Sequence, residues 1–262
     1  DLSLGETAYL GEERRTLETI PVAWNSRPSK KLDQKKVFLV SGGAKGVTAE
    51  CIIRLAQSHP ARFIVTGRSQ IIAEPAWAKG LESYALQKAA IESIRQTNEK
   101  PTPTKVRKLM DSIESNRSVQ YNLQRLRDSG AEVEYIAVDV TDKQGLLEAL
   151  NPIQKKWGPV EGIIHGAGVL ADKRIENKTL EDIKRVYQTK VKGLQTLLEV
   201  IDESKLTHLI LFSSAAGFFG NAGQSDYAAA NEVLNQYAIQ FLQNHPECQV
   251  VSFNWGPWEG GM

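Results

Sequence analysis

Residues 37–48 read Val37-Phe-Leu-Val-Ser-Gly-Gly-Ala-Lys-Gly-Val-Thr48: four apolar residues, a glycine-rich turn, then the start of a helical pattern. The apolar run is short and unbroken, as expected for a strand buried on both faces. Working outward, comparable runs recur at 63–65, 133–138, 160–164, 208–212 and 250–255, the last being the most alternating through Ser252 and Asn254. Amphipathic helical stretches at 47–58, 143–156, 179–203 and 226–243 separate most of them. Strand–helix alternation of this kind predicts an α/β fold with a doubly wound parallel sheet. The interval from 68 to 133 is too long for one crossover helix. Residues 76–96 read as a helix and 97–104, with two prolines, as a loop. Residues 103–128 read as a second helix, with Thr102 as N-cap, Pro103 in the first position and Gly130 past the end. A helical insertion over about 74–129 is therefore expected between the second and third strands. It either packs on the domain's edge or offers a docking surface to a neighbouring domain.

Composition narrows the function classes. The chain has 262 residues, 41% of them hydrophobic, and a net charge of +1. A sizeable core is within reach and global disorder is excluded. No basic excess points to nucleic acid or an anionic membrane, and no apolar run approaches the ~18 residues of a membrane span. Two cysteines, Cys51 and Cys248, make no disulfide framework, so a cytoplasmic setting is expected. Four histidines and two distant cysteines give no metal-ligand spacing, so no metal is expected. Residues 1–34 are polar, with isolated Leu17, Ile20, Val22 and Trp24, and read as a linker holding one short strand ahead of a domain at 35–262. A start at Asp1 and a stop after Gly260-Gly261-Met262 read as a domain excised from something longer.

The turn itself carries chemistry. Glycines between a strand and a helix let the backbone approach a pyrophosphate, and the helix N-terminus adds free N–H groups. Gly42, Gly43, Ala44, Lys45, Gly46 and Val47 form that cradle. Its spacing is G-x-x-x-G, with Thr48 where a third glycine is usual, so helix–strand packing must accept a side chain there. The second strand ends Thr66-Gly67-Arg68-Ser69, with no acidic residue to hold a ribose 2′-hydroxyl. Arg68, with Lys45 nearby, suits a 2′-phosphate instead, favouring NADPH. Asp139 and Val140 close the third strand against an adenine, although an aspartate there also caps turns. Gly166, Ala167 and Gly168 offer small residues at the fourth strand's end. His165 beside them reads as structural more readily than catalytic.

The fifth strand ends Ser213-Ser214, and Tyr227 and Asn231 follow at i and i+4 on one face of the next helix. Serine and tyrosine so placed converge on one carbonyl oxygen, with tyrosine as proton donor in a hydride reduction. A free phenol with pKa ~10 needs a nearby cation to act near neutrality.

On these residues the chain resembles a short-chain dehydrogenase/reductase (SDR), whose fold is the Rossmann-like doubly wound sheet. Most of that superfamily has Tyr-x-x-x-Lys; this chain has Tyr227-x-x-x-Asn231, with lysine in Lys190-Val-Lys-Gly193. That exchange is similar to ketoreductase domains of type I polyketide and fatty-acid synthases. The resemblance implies Lys190, Ser214, Tyr227 and Asn231 as the catalytic set, Lys190 being preferred over Lys192 and expected to lower the Tyr227 pKa and hold the nicotinamide ribose. Asn231 would support Lys190 or a proton-resupplying water. The stretch from Asn254 through Gly256 and Pro257 is typical of these domains, and the long insertion looks like that of polyunsaturated fatty acid synthases. The resemblance further implies NADPH, a β-ketoacyl substrate on an acyl carrier protein, and other domains of a megasynthase as partners. Asp172, after Ala171, and Phe219 in place of a tryptophan imply the 3R alcohol. Relatives add a lid helix and a last strand, both expected to be absent here. The alternatives are a non-catalytic reductase-like structural module and a free-standing ketone reductase.

Overall fold

The computed structural model describes residues 7–16 and 35–258. Strands β1 (Thr7–Leu10) and β2 (Glu13–Thr16) form an antiparallel hairpin that the sequence reading did not anticipate. The short strand expected near Trp24 and the end at Gly260–Met262 lie outside the described residues.

Six strands form the main sheet: β3 (Val37–Ser41), β4 (Arg62–Gly67), β5 (Glu132–Ala137), β6 (Gly162–His165), β7 (His208–Ser214) and β8 (Gln249–Trp255). All pairings are parallel and the order is β5-β4-β3-β6-β7-β8. This is the doubly wound order that reverses between β3 and β6, leaving a crevice at the strands' carboxyl ends. Side chains alternate across β3. Phe38 and Val40 pack on one face with Ile52 and Ile53 of α1 (Gly46–Ser58). Val37 and Leu39 pack on the other with Leu146 and Leu150 of α4 (Lys143–Trp157). The inner strands β3 and β6 are buried throughout, matching their unbroken apolar runs. By contrast β5 is only half-buried, because it lies at the sheet's edge with Glu132 and Glu134 along it.

The insertion contains α2 (Ser83–Gln96) and α3 (Pro103–Asp128). The Thr102 side chain caps α3 by accepting from Lys105 N, with Pro103 following as expected. Helix α2 begins later than the predicted 76, because 75–81 close into tight turns, Ala78 N to Pro75 O and Leu81 N to Ala78 O. Those turns bury Ala78 against Leu86 and Ile113. Helix α3 has two roles. Val106 and Ile113 pack within the insertion, while Val119, Leu123 and Leu126 join the sheet core as the crossover helix.

The predicted helix over 179–203 is three pieces: α5 (Leu180–Tyr187), a π-helical turn (Gln188–Lys192) and α6 (Gly193–Glu199). The π-turn brings Val186 and Val191, five apart, into one buried cluster. A strict α-helix would place them on different faces. After β7 come α7 (Ala215–Phe219) and α8 (Ser225–Asn244). Among the described residues no helix is long and apolar enough to cross a membrane.

Candidate active site

A cleft of about 1050 Å³ opens at the carboxyl ends of the parallel strands. At its floor Gly42 adopts φ +68°, and a Cβ there would stand 2.9 Å from the Ala167 backbone. Only glycine lets the β3 turn and the β6 end approach so closely. Helix α1 starts behind this turn without a side-chain cap among the described residues, and its first residues, Gly46 to Thr48, line the cleft. Thr48 takes the place of a third glycine because space is ceded opposite: a Cβ on Gly166 would lie 2.1 Å from Thr48 Oγ1. The glycine needed for close packing sits on the strand rather than the helix.

Most predicted cofactor residues line this cleft: Gly42, Ala44 to Val47, Arg68, Ser69, Asp139, Val140, Gly166 to Gly168, Gly256 and Pro257. Gly43 does not; it packs against Val40 and Ile52. Arg68 is exposed at the rim and makes no hydrogen bond or ion pair among the described residues. Lys45 lines the same cleft as Arg68 and also reaches the insertion. Its Nζ donates to Ser115 Oγ of α3 at 2.6 Å, and Asn122 of α3 donates to Ala44 O at 3.1 Å. The insertion helix thus forms one wall of the cleft, through Ser118 and Val119, instead of lying only at the domain's edge. Asp139 caps its own turn, accepting from Thr141 N and Oγ1.

At the other end, Lys190, Ser214, Phe219 and Tyr227 share the cleft. Lys190 reaches inward from the π-turn with 3% exposure and donates to Phe212 O at 3.0 Å. Its Nζ stands 5.4 Å from the Tyr227 ring centroid. Burial pushes the Lys190 ammonium down to about 8. Lys192, the rival, is instead exposed and paired with Glu199. Burial pushes the Tyr227 phenol above its ordinary value; the side chains of Asn231 and Ser214 pull the other way, and the charge of Asp172 adds to the rise. The Ser214 side chain caps α7 through Ala216 N. Asn231 does not bond Lys190 here. It is fully buried, donates to Tyr227 O at 2.8 Å, and leaves its Oδ1 without a partner among the described residues. Asp172 stands outside the cleft lining and accepts from Gln224 Nε2.

His165 is fully buried between two fixed partners. A carbonyl only accepts, so Nε2–H donates to Lys190 O at 2.8 Å and Nδ1 accepts from Ser41 Oγ at 2.7 Å. The ring holds the backbone of the π-turn and is structural, as the sequence suggested. Burial drives its pKa down to about 3, and the Lys190 charge adds to the fall. Between there and the unfolded ~6.5 the unfolded chain binds the extra proton, so stability is lost as pH falls through that window, by as much as about 5 kcal/mol. A His165→Asn variant is expected to show a flatter decline in denaturant midpoint from pH ~6.5 to ~4. Parallel curves for variant and wild type would contradict this account of the ring.

Sequence reasoning missed one feature beside the tyrosine. Lys178 and Asp226 form an ion pair at 2.7 Å with both side chains 1% exposed. Its only sequence signal is an acid in the first turn of α8, next to Tyr227. Among the described residues no group of three or more His, Cys, Asp or Glu is placed to hold a metal.

Residues 36–260 match the family model described as "KR domain". The chain is 37% identical over 244 residues to a polyunsaturated fatty acid synthase polypeptide of a Thraustochytrium species, covering 90% of this chain and 9% of that protein. It is 40% identical over 147 residues to the polyketide synthase PksN of Bacillus subtilis, covering 53% of this chain and 3% of the relative. It thus spans less than a tenth of these relatives' length. A ketoreductase domain from the bacillaene assembly line superposes with TM-score 0.64 at 28% identity, over 97% of this chain and 51% of that one. A short-chain dehydrogenase from Mycobacterium paratuberculosis, at 18% identity and TM-score 0.62 over 85% of this chain and 72% of its own, shares the fold.

Proposed function

Because the chain belongs to the KR domain family, we propose that it reduces a β-ketoacyl thioester on an acyl carrier protein to the 3-hydroxyacyl thioester, with NADPH as reductant. The setting is a polyketide or polyunsaturated fatty acid synthase. One observation carries this reading: Lys190, Ser214 and Tyr227 line a single cleft with the uncapped helix start and the Gly42 turn. The residues fit a dinucleotide. The glycine cradle would hold the pyrophosphate, Arg68 and Ser69 the 2′-phosphate, and Asp139 and Val140 the adenine. Gly166 to Gly168, Gly256 and Pro257 would flank the nicotinamide. When bound, NADPH supplies the hydride that adds to C3.

The chain's own residues handle the oxygen. Tyr227 O–H gives its proton to the oxygen left on C3, and Ser214 Oγ–H holds that oxygen in place. The lowering expected from a nearby cation is not seen, because burial raises the phenol instead; it therefore arrives protonated and has a proton to give. The buried Lys190 ammonium stabilises the phenolate that remains. Asn231 ties down the Tyr227 carbonyl and with it the helix turn that aims the phenol. Asp172 beside the cleft and the exposed Phe219 support the 3R product.

The test is loss of NADPH absorbance with a β-ketoacyl thioester. Turnover with NADPH well above NADH is expected. Arg68→Glu should weaken NADPH use by about 10- to 100-fold, the worth of charge-assisted hydrogen bonds, and narrow the preference. Equal use of both cofactors, untouched by Arg68→Glu, would remove the 2′-phosphate assignment. Cofactor binding with no thioester turnover would remove the ketoreductase reading itself.

A further inference from the structure

We propose that the buried Lys178–Asp226 ion pair is a clamp that positions Tyr227 against the opposite wall of the substrate cleft and so sets the stereochemical fidelity of reduction. This rests on the ketoreductase reading above. The Lys178 ammonium bonds Asp226 Oδ1 at 2.7 Å and also Ala171 O at 2.8 Å. The same Oδ1 accepts from Tyr227 N at 2.8 Å. A single buried charge pair thus links the backbone before Asp172 to the backbone of the proton donor. Two further links join these segments, Lys173 N to Gly223 O and Gln224 Nε2 to Asp172 Oδ2. The Gln224–Asp172 bond is exposed, where water competes with it. Leu170 on one segment and Gln224 on the other both line the cleft, so the clamp fixes its width at the carbonyl.

Stability does not account for the pair. Desolvating two charges offsets their attraction, and a buried ion pair is a weak source of fold stability. Asp226 Oδ2 has no hydrogen-bond partner among the described residues. Among the described residues its charge is answered by Lys178, the Tyr227 N–H and the positive end of α8. What the pair provides is geometry, because it holds both walls at once. Lys178 and Asp226 are positioning residues here, remote from the hydride's path.

The experiment compares the whole chain with Asp226→Asn, Lys178→Met and the double variant. It measures kcat, NADPH affinity, the 3R:3S product ratio and backbone amide exchange. Asp226→Asn keeps an acceptor for Tyr227 N–H and drops the charge. NADPH affinity is expected to persist while kcat falls about 10- to 100-fold, the scale of a misplaced reacting group. The product ratio should erode towards a mixture, and amides at 171–178 and Tyr227 should lose protection while those of β3 and β6 keep it. If a single variant fails to fold, the double variant leaves no unpaired charge, and its ratio decides. A native ratio and native exchange in any folded variant overturn the clamp. If wild type binds NADPH but reduces nothing, the functional reading fails with the fidelity claim, and exchange alone still decides whether the pair fastens the two walls.

Discussion

Tyr227→Phe is expected to lower kcat for the β-ketoacyl thioester by about 10²- to 10⁴-fold, the range for losing a positioned general acid. NADPH affinity should stay as it was. The substitution removes one hydroxyl and little else. The Tyr227 ring packs with Ala171, Val186, Val191, Ala216 and Ala230, and phenylalanine keeps those contacts. The Lys190 ammonium retains a ring face beneath it at the same distance, so the cation–π contact survives. A fall in rate therefore reports the missing proton and not a collapsed site. The check is steady-state kinetics beside a thermal melt. A variant that folds like wild type and keeps more than about a tenth of its rate would take proton donation away from Tyr227.

Lys190→Met should be both less active and more stable near neutrality. The loss of rate is expected at about 10²- to 10³-fold, the scale of removing one preorganised electrostatic group. The gain follows from burial. In the folded chain the ammonium titrates near 8, against ~10.4 unfolded. Below about 8 both states carry the proton, and the fold bears the whole cost of an ammonium out of water, about 3 kcal/mol. As pH rises from there to ~10.4 the folded chain releases its proton first, stability rises, and the advantage of methionine shrinks. Loss of the bond to Phe212 O offsets part of the gain. Denaturant midpoints of the two proteins across alkaline pH decide the matter. A methionine variant no more stable than wild type at neutral pH, with a constant difference above it, would show that the buried charge is not strained.

Much of this was legible because it is local. Continuous apolar runs marked β3 and β6, Thr102 and Pro103 marked the start of α3, and the spacing of Tyr227 and Asn231 set them on one helical face. The illegible parts are pairings between distant segments. Nothing near Thr48 announces that Gly166 makes room for it. Nothing near Lys45 points to Ser115, and Lys178 stands far along the chain from Asp226. Asn231 was assigned to support Lys190 or a proton-resupplying water; its amide nitrogen donates instead to the nearest acceptor, the carbonyl one turn back. The π-turn did leave a trace. Val186 and Val191 break the three-and-four rhythm of a buried helix face, a signal that also separates Lys190 from Lys192 once it is noticed.

That π-turn makes the chain intolerant of length changes in one place. Each residue of an α-helix advances the face by ~100°, and a π-turn accommodates one residue beyond the α-helical count. Deleting a single residue between 188 and 192 would let the hydrogen-bond ladder close as ordinary α-helix, keeping the flanking faces in phase but erasing the bulge from which Lys190 reaches inward. Val186 and Val191, then four apart, would stay on one face, and the lysine would leave the tyrosine it faces. The loop at 97–102 carries no such phase, so insertions there shift nothing in the cleft. Natural variation in length should accumulate in that loop and stay out of 188–192, and grafts that exchange segments of this domain should place their junctions accordingly.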